Sequence, residues 1–270
     1  MDTARIITRD MWGPPLPVVI GAGWCREVIG PRSGAELRSL YWFELTSGSS
    51  SVPLQHPVEA AYYVAAGKVA VRSTASKNKD TRAVPEGGMF HVRPFTDYSM
   101  AAVTDAVVIG GPAPVDDNFG EPIGASFRRS KDAQTLGVAY FHRDDPGLMV
   151  PIISADARLV VWYGVGAVSA NMNYVILQPG ERNKEHLHRY SEDTILILEG
   201  SGTAEDVTNG LSLEFNAGDV VTIPPGVVHA ISANRGERIV SVGGPCPADL
   251  DMLRAVGVDV DWLTERLGKR

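Results

Sequence analysis

Two histidine-bearing segments on either side of one apolar run constrain this chain more than anything else in it. The first reads Gly180-Glu181-Arg182-Asn183-Lys184-Glu185-His186-Leu187-His188-Arg189-Tyr190-Ser191-Glu192-Asp193 and passes through Ile195 to Leu198 into the turn Glu199-Gly200-Ser201-Gly202. The second begins at Gly218 and ends in Pro224-Pro225-Gly226-Val227-Val228-His229. Together they hold three of the six histidines. Residues two apart on a strand share a face, so His186 and His188 point the same way and can share one ion. With His229 and a carboxylate at Glu192 or Asp193, the set is three imidazoles and one carboxylate. Neutral imidazole favours a first-row transition ion, whereas calcium and magnesium prefer all-oxygen shells. The expected cofactor is therefore one divalent iron, manganese, nickel, copper or zinc ion. Strands separated by Gly and Pro-Gly turns describe small antiparallel β architecture, and a barrel lets separate strands converge their ligands.

These residues resemble the two signature motifs of the cupin superfamily. Gly180, His186, His188 and Gly200 take the fixed places of the first motif, and Gly218, Pro224, Gly226 and His229 those of the second, with Asn234 one residue late. Counting back from Gly200 puts the acidic ligand on Asp193, and counting on from His188 puts it on Glu192. The Gly200 anchor favours Asp193, because a slip by one residue turns a strand side chain to the other face. The resemblance implies a metal site made by His186, His188, His229 and one of these two carboxylates.

A weaker copy of the same pattern lies upstream. Gly48, Leu54, His56 and Gly67 precede Gly180, His186, His188 and Gly200 by 132 or 133 positions. Gly88 and Pro94 stand 130 positions before Gly218 and Pro224, and Val107 to Pro114 matches Val240 to Pro247 at 133. The expected fold is all-β: two tandem cupin (jelly-roll) β-barrels with short C-terminal helices. Its expected parts are a degenerate N-terminal barrel over 1–115, a linker over 116–150, a metal-binding barrel over 151–247, and helices over 248–270. In the first copy Leu54 replaces a histidine, Ser99 aligns with His229, and Glu59 or Ala60 falls near the carboxylate place. One imidazole is a poor metal site, so Tyr62, Tyr63, Phe90, Phe95 and Tyr98 are expected to pack that barrel. Lys77 to Asp80 reads as a solvated hairpin tip. Ile6-Ile7 and Val18 to Ile20 read as edge strands or an arm that a partner chain could exchange. Ala248 to Val256 and Asp261 to Leu267 show helical spacing with acidic starts.

A net charge of -7 with no basic block argues against nucleic-acid partners. No apolar run reaches the length of a membrane span, Pro14, Pro15 and Pro17 spoil a signal-peptide reading, and the two cysteines lack metal-ligand spacing. Cytoplasmic location follows as the expectation, and bicupins similar in layout suggest a homodimer. A metal with open positions can chelate a small substrate and either activate it towards dioxygen or polarise a carbonyl. The reading is a metal-dependent oxidoreductase of the dioxygenase type acting on a small anionic or enolisable metabolite. The alternatives are a non-redox decarboxylase, isomerase or lyase, and a small-molecule-binding cupin without catalysis.

Overall fold

In the computed structural model of the chain, residues 2–73, 81–121 and 137–268 are described. The hairpin tip expected at Lys77 to Asp80 lies outside them. The chain divides into two compact units, one of residues 12–144 and one of residues 1–11 with 145–270.

In the first unit an antiparallel six-stranded sheet runs in the order Val138–His142, Gly88–Val92, Glu59–Ala66, Ala106–Ala113, Leu40–Leu45, Gly23–Ile29. A five-stranded sheet has the order Val19–Ile20, Ser50–Ser51, Tyr98–Ala102, Lys68–Ser73, Thr81–Pro85. The pattern of Lys68–Ser73 shows why the strand forms: Val69, Val71 and Ser73 are buried while Lys68 and Arg72 are exposed, the period of two of a half-buried strand. Phe43, Tyr62, Val64, Phe90, Tyr98 and Met100 belong to the core between the sheets. Of the aromatics expected to pack this barrel, Tyr63 is buried on the other side of its strand from Tyr62, and Phe95 is half-buried with φ of 60°.

The second unit repeats the plan. Its seven-stranded sheet has the order Arg5–Ile7, Val220–Ile223, Glu192–Glu199, Ile239–Cys246, Met172–Leu177, Asp156–Val161, Leu148–Met149. Its three-stranded sheet has the order Leu211–Asn216, Ser201–Asp206, His229–Ala233. Leu177, Ile197, Phe215, Val221, Ile231 and Ile239 share the core. The helices Leu250–Ala255 and Val260–Gly268 bury Met252, Leu253, Val260 and Leu263 against Ala157, Leu159 and Tyr163. No helix is long and apolar enough to cross a membrane among the described residues.

Two boundaries differ from the expected ones. Arg5–Ile7 pairs with Val220–Ile223, and the Ala4 amide donates to the buried Asp206 carboxylate at 3.0 Å, so the first residues complete the second unit instead of the first. The strand is paired within its own chain. The stretch expected to link the units contributes Val138–His142, paired with Gly88–Val92, to the first unit. Its alternation is too weak to stand out, since all five residues are half-buried.

The repeat extends to the backbone. Gly67 and Gly200 both have left-handed φ, of 74° and 84°, and a Cβ at either would run into a carbonyl oxygen, of Asp105 and Arg238 respectively. Gly200→Ala is accordingly expected to lower the free energy of unfolding by on the order of 2 kcal/mol. An unchanged midpoint in urea denaturation would contradict this.

Candidate metal centre

The segment carrying His186 and His188 is an extended loop rather than the regular strand expected from the spacing. It is fastened to the strand His229–Ala233: Asn183 N–H donates to the Ile231 carbonyl, and the Ile231 amide returns a bond to Asn183 Oδ1 at 2.8 Å. His186 and His229 exchange both backbone hydrogen bonds, at 3.1 and 2.9 Å. The Gly226 amide, in the Pro-Gly turn, donates to the His188 carbonyl at 2.8 Å. The two motifs are thus two sides of one hydrogen-bonded frame, and exposed Leu187 turns away while its neighbours turn in.

The frame brings His186, His188, Asp193 and His229 together, with one ligand atom from each lying within 4.8 Å of all the others. Glu192 lies outside this group. Alternation along Glu192–Glu199 turns it to the other face from Asp193.

Each imidazole is oriented through its Nδ1. That of His186 meets the Lys184 carbonyl at 2.8 Å, that of His229 the Val227 carbonyl at 3.0 Å, and that of His188 Oδ2 of Asp249 at 2.6 Å. Each Nδ1 must carry the proton to donate, which leaves the Nε2 lone pair for the centre. The Nε2 atoms of His188 and His229 both lie 3.6 Å from Oδ2 of Asp193, beyond hydrogen-bond length. His229 Nε2 and Asp193 Oδ1 are buried with no hydrogen-bond partner. Orphaned acceptors this deep are costly unless something binds them. Four converging donors fit an ion, and the imidazole-carboxylate mixture fits a transition ion.

Without an ion the electrostatics are uneven. Burial, then the neighbouring imidazoles, push the His186 ring down to about 4. Burial also opposes a charge on His188, but the carboxylates of Asp193 and Asp249 outweigh it and hold the ring up at about 9. Burial pushes Asp193 upward too, yet His188 and His229 keep it well below the usual carboxylate range.

Asp249 was marked in the sequence only as an acidic residue near a helix start. It is the N-cap of Leu250–Ala255, where Oδ1 accepts from the amides of Asp251 and Met252 at 2.9 and 3.0 Å, while Oδ2 holds His188. Such carboxylate-histidine pairs orient ligands around metals. The first unit has the same pair: His56 Nδ1 meets Asp116 Oδ2 at 2.8 Å, and Asp116 Oδ1 accepts from the Asn118 amide. Extending the repeat two residues past Pro114 and Pro247 would have found both aspartates.

The rest of the first unit's centre has changed. Leu54 bridges Tyr98 as His186 bridges His229, so Tyr98, not Ser99, stands where the third histidine would. The one-residue error arises because the offset at Pro94 is not kept through the turn that follows. Ala60, facing Pro112 as Asp193 faces Pro245, takes the carboxylate place. Glu59 turns away and lies 3.5 Å from His91. Tyr98 donates or accepts at His56 Nε2 and Tyr62 at 2.9 and 2.5 Å, and Phe119 stacks on His56. Ring and hydroxyl fill the space that the second unit leaves for an ion. His56→Ala is expected to leave metal content unchanged and to cost about 3 kcal/mol of stability, because it strands the buried Asp116 carboxylate. Metal analysis beside a denaturant titration checks both halves.

Comparison with known proteins bears on residues 173–242, which match the family model described as "Cupin domain". A stretch of 36 residues is 50% identical to the polyketide synthase CurC of Streptomyces cyaneus, a match spanning 13% of this chain and 23% of that protein. Among solved structures, the formate complex of Lactobacillus farciminis oxalate decarboxylase superposes with a TM-score of 0.66 at 15% identity, over 99% of this chain and 94% of that one. A Bacillus subtilis oxalate decarboxylase studied for its Mn(II) centres gives 0.65 at 14% identity, over 97% and 86%. Vicilin of hazelnut, Corylus avellana, gives 0.65 at 13% identity, over 90% and 85%. At these identities the likeness establishes the fold.

Proposed function

We propose that the chain is a bicupin with its metal-binding motif pair in the second barrel, and a metal-dependent enzyme of the dioxygenase type acting on a small anionic or enolisable metabolite. The observation that carries the metal half is the set of four converging donors, three of them buried, with orphaned His229 Nε2 and Asp193 Oδ1. His186, His188, Asp193 and His229 hold the ion. When bound, a redox-active ion of this kind supplies Lewis acidity and a route for electrons between substrate and dioxygen.

The chain's own residues prepare the rest. The Lys184 and Val227 carbonyls and Asp249 fix which nitrogen each imidazole presents. Ile153, Val175, Leu177 and Ile195 line a cavity of about 50 Å³ beside the donors and give it a largely apolar wall. Low dielectric there strengthens every interaction with developing charge.

A second reading, a decarboxylase, isomerase or lyase using manganese, nickel or zinc, draws on the fold shared with the oxalate decarboxylases. Shared fold is the weaker support, since one fold hosts many chemistries. Turnover of a panel of enols, phenols and oxo acids, with and without dioxygen, separates the two. Loss of turnover without dioxygen supports the dioxygenase; turnover that persists moves the assignment to the second reading. Absence of any turnover by metal-replete protein leaves ligand binding as the function. A cytoplasmic homodimer belongs to the same proposal, and a light-scattering mass of one chain would contradict the dimer.

A further inference from the structure

The walls of the metal cavity differ from what a multiply charged substrate needs. They include Ile153, Val175, Leu177, Ile195, Ile231 and Met252, and no Lys or Arg lines the cavity among the described residues. The one carboxylate in the wall is Asp193. A divalent ion, the Asp193 carboxylate, neutral imidazoles and the buried Asp249 carboxylate hydrogen-bonded to His188 leave the centre near neutrality. A dicarboxylate dianion would turn that into a net negative charge inside an apolar wall, and buried charge without a partner is strongly disfavoured. A neutral molecule adds no such charge to the centre.

Two polar side chains in the wall, Ser241 and Asn173, offer that molecule a directional contact, and Asn173 is the one with an orphaned buried atom. Asn173 lines the cavity, and its Oδ1 is buried with no hydrogen-bond partner. Its amide lies over Gly244, where a Cβ would collide with it, so the missing side chain at 244 makes the room. The other asparagine in the wall, Asn183, has its Oδ1 committed to the Ile231 amide. A buried polar group left unpaired in a ligand cavity is a place where a ligand completes the pairing.

We propose that this cavity takes a neutral, mainly apolar enol or phenol, and that Asn173 is the residue that recognises it, accepting a hydrogen bond from a hydroxyl of the ligand. The size of the cavity, about 50 Å³ against the roughly 10–15 Å³ that one water needs, admits a few heavy atoms, the whole of a small ligand or the reactive end of a longer one. The inference rests on the metal reading of the site and narrows its substrate. It sets aside the anionic half of the range that the sequence suggested.

The test uses the full chain loaded with cobalt(II), whose visible spectrum reports the centre, titrated separately with 4-methylcatechol and with oxalate. Each affinity is divided by that of the same probe for aqueous cobalt(II). The expected result favours 4-methylcatechol by at least about tenfold after this correction. Asn173→Ala and the nearly isosteric Asn173→Leu are expected to weaken 4-methylcatechol about five- to tenfold, the scale of one hydrogen bond, with cobalt affinity and the oxalate value unchanged. Corrected affinities that favour oxalate, or variants that bind both probes like the parent, overturn the inference while the cobalt spectrum keeps the metal site standing. Failure to bind cobalt at all overturns both.

Discussion

Asp193→Ala is expected to abolish stable metal binding, with affinity falling by more than the roughly 10–100-fold that follows loss of an outer-shell partner. Glu192→Ala, one residue away, is expected to bind as the parent does. The asymmetry follows from strand geometry: Asp193 Oδ2 sits 3.6 Å from two imidazole nitrogens, whereas Glu192 is not among the converging donors. Asp193→Asn refines the result, since the amide keeps the shape and one oxygen but removes the charge that balances the ion. Chelator competition with a colorimetric dye measures all three. Equal losses at 192 and 193 would show that the acidic residues act through general charge rather than ligation.

The second large effect lies outside the ligand set. Asp249 has two tasks on two oxygens, capping a helix with Oδ1 and accepting the His188 Nδ1 proton with Oδ2. Asn at this position can keep the cap, but it then presents an NH2 group to His188, which cannot accept that proton. The imidazole relieves the conflict by moving its proton to Nε2, and a protonated Nε2 has no lone pair for an ion. Turning the amide round restores the imidazole but forfeits the cap, worth about 1 kcal/mol. Asp249→Asn is therefore expected to weaken metal binding about 10–100-fold with little change in fold. Nitrogen-15 shifts of His188 in the metal-free protein above about pH 9, where the parent ring is neutral, should show the exchanged tautomer. Asp116→Asn, the counterpart in the first unit, should leave metal binding alone. Unaltered affinity in Asp249→Asn, with the tautomer unchanged, would reduce the carboxylate to a helix cap.

The pairing of these two aspartates shows how the sequence was legible and where it stopped being so. Fixed spacings with glycine and proline punctuation carried the ligand set, the two-unit plan and the strand register around Gly200, because turns at those residues leave few ways to continue. Asp249 was visible but ambiguous: an acidic residue before a helix is explained by capping alone, and nothing local shows its second oxygen turned towards His188. Tyr98 is legible as a core residue of the first barrel but not as the counterpart of His229, for a related reason. Counting from Pro94 assumes a turn of constant length, while the pairing of Leu54 with Tyr98 is fixed by the ladder. The first eleven residues were the least legible, because a short strand such as Arg5–Ile7 takes its partner from more than two hundred positions away. The cavity wall is likewise scattered over several strands and a helix, and Asn173 becomes notable only once its Oδ1 is known to be unpaired.

The first unit's buried His56, Tyr98 and Tyr62 give the plainest contrast with the second. Burial raises both tyrosine hydroxyls, so they remain neutral donors and acceptors, and a hydrogen-bonded chain stands where the other barrel leaves four donors facing each other. One barrel has satisfied its centre with its own side chains; the other keeps four donors converging, the arrangement the proposed ion would complete.

Metal content decides this directly. Protein purified without added metal or chelator, analysed by inductively coupled plasma mass spectrometry beside His188→Ala, is expected to carry close to one transition ion per chain, lost in the variant. Two ions per chain, or none in the parent even after reconstitution, would contradict the account.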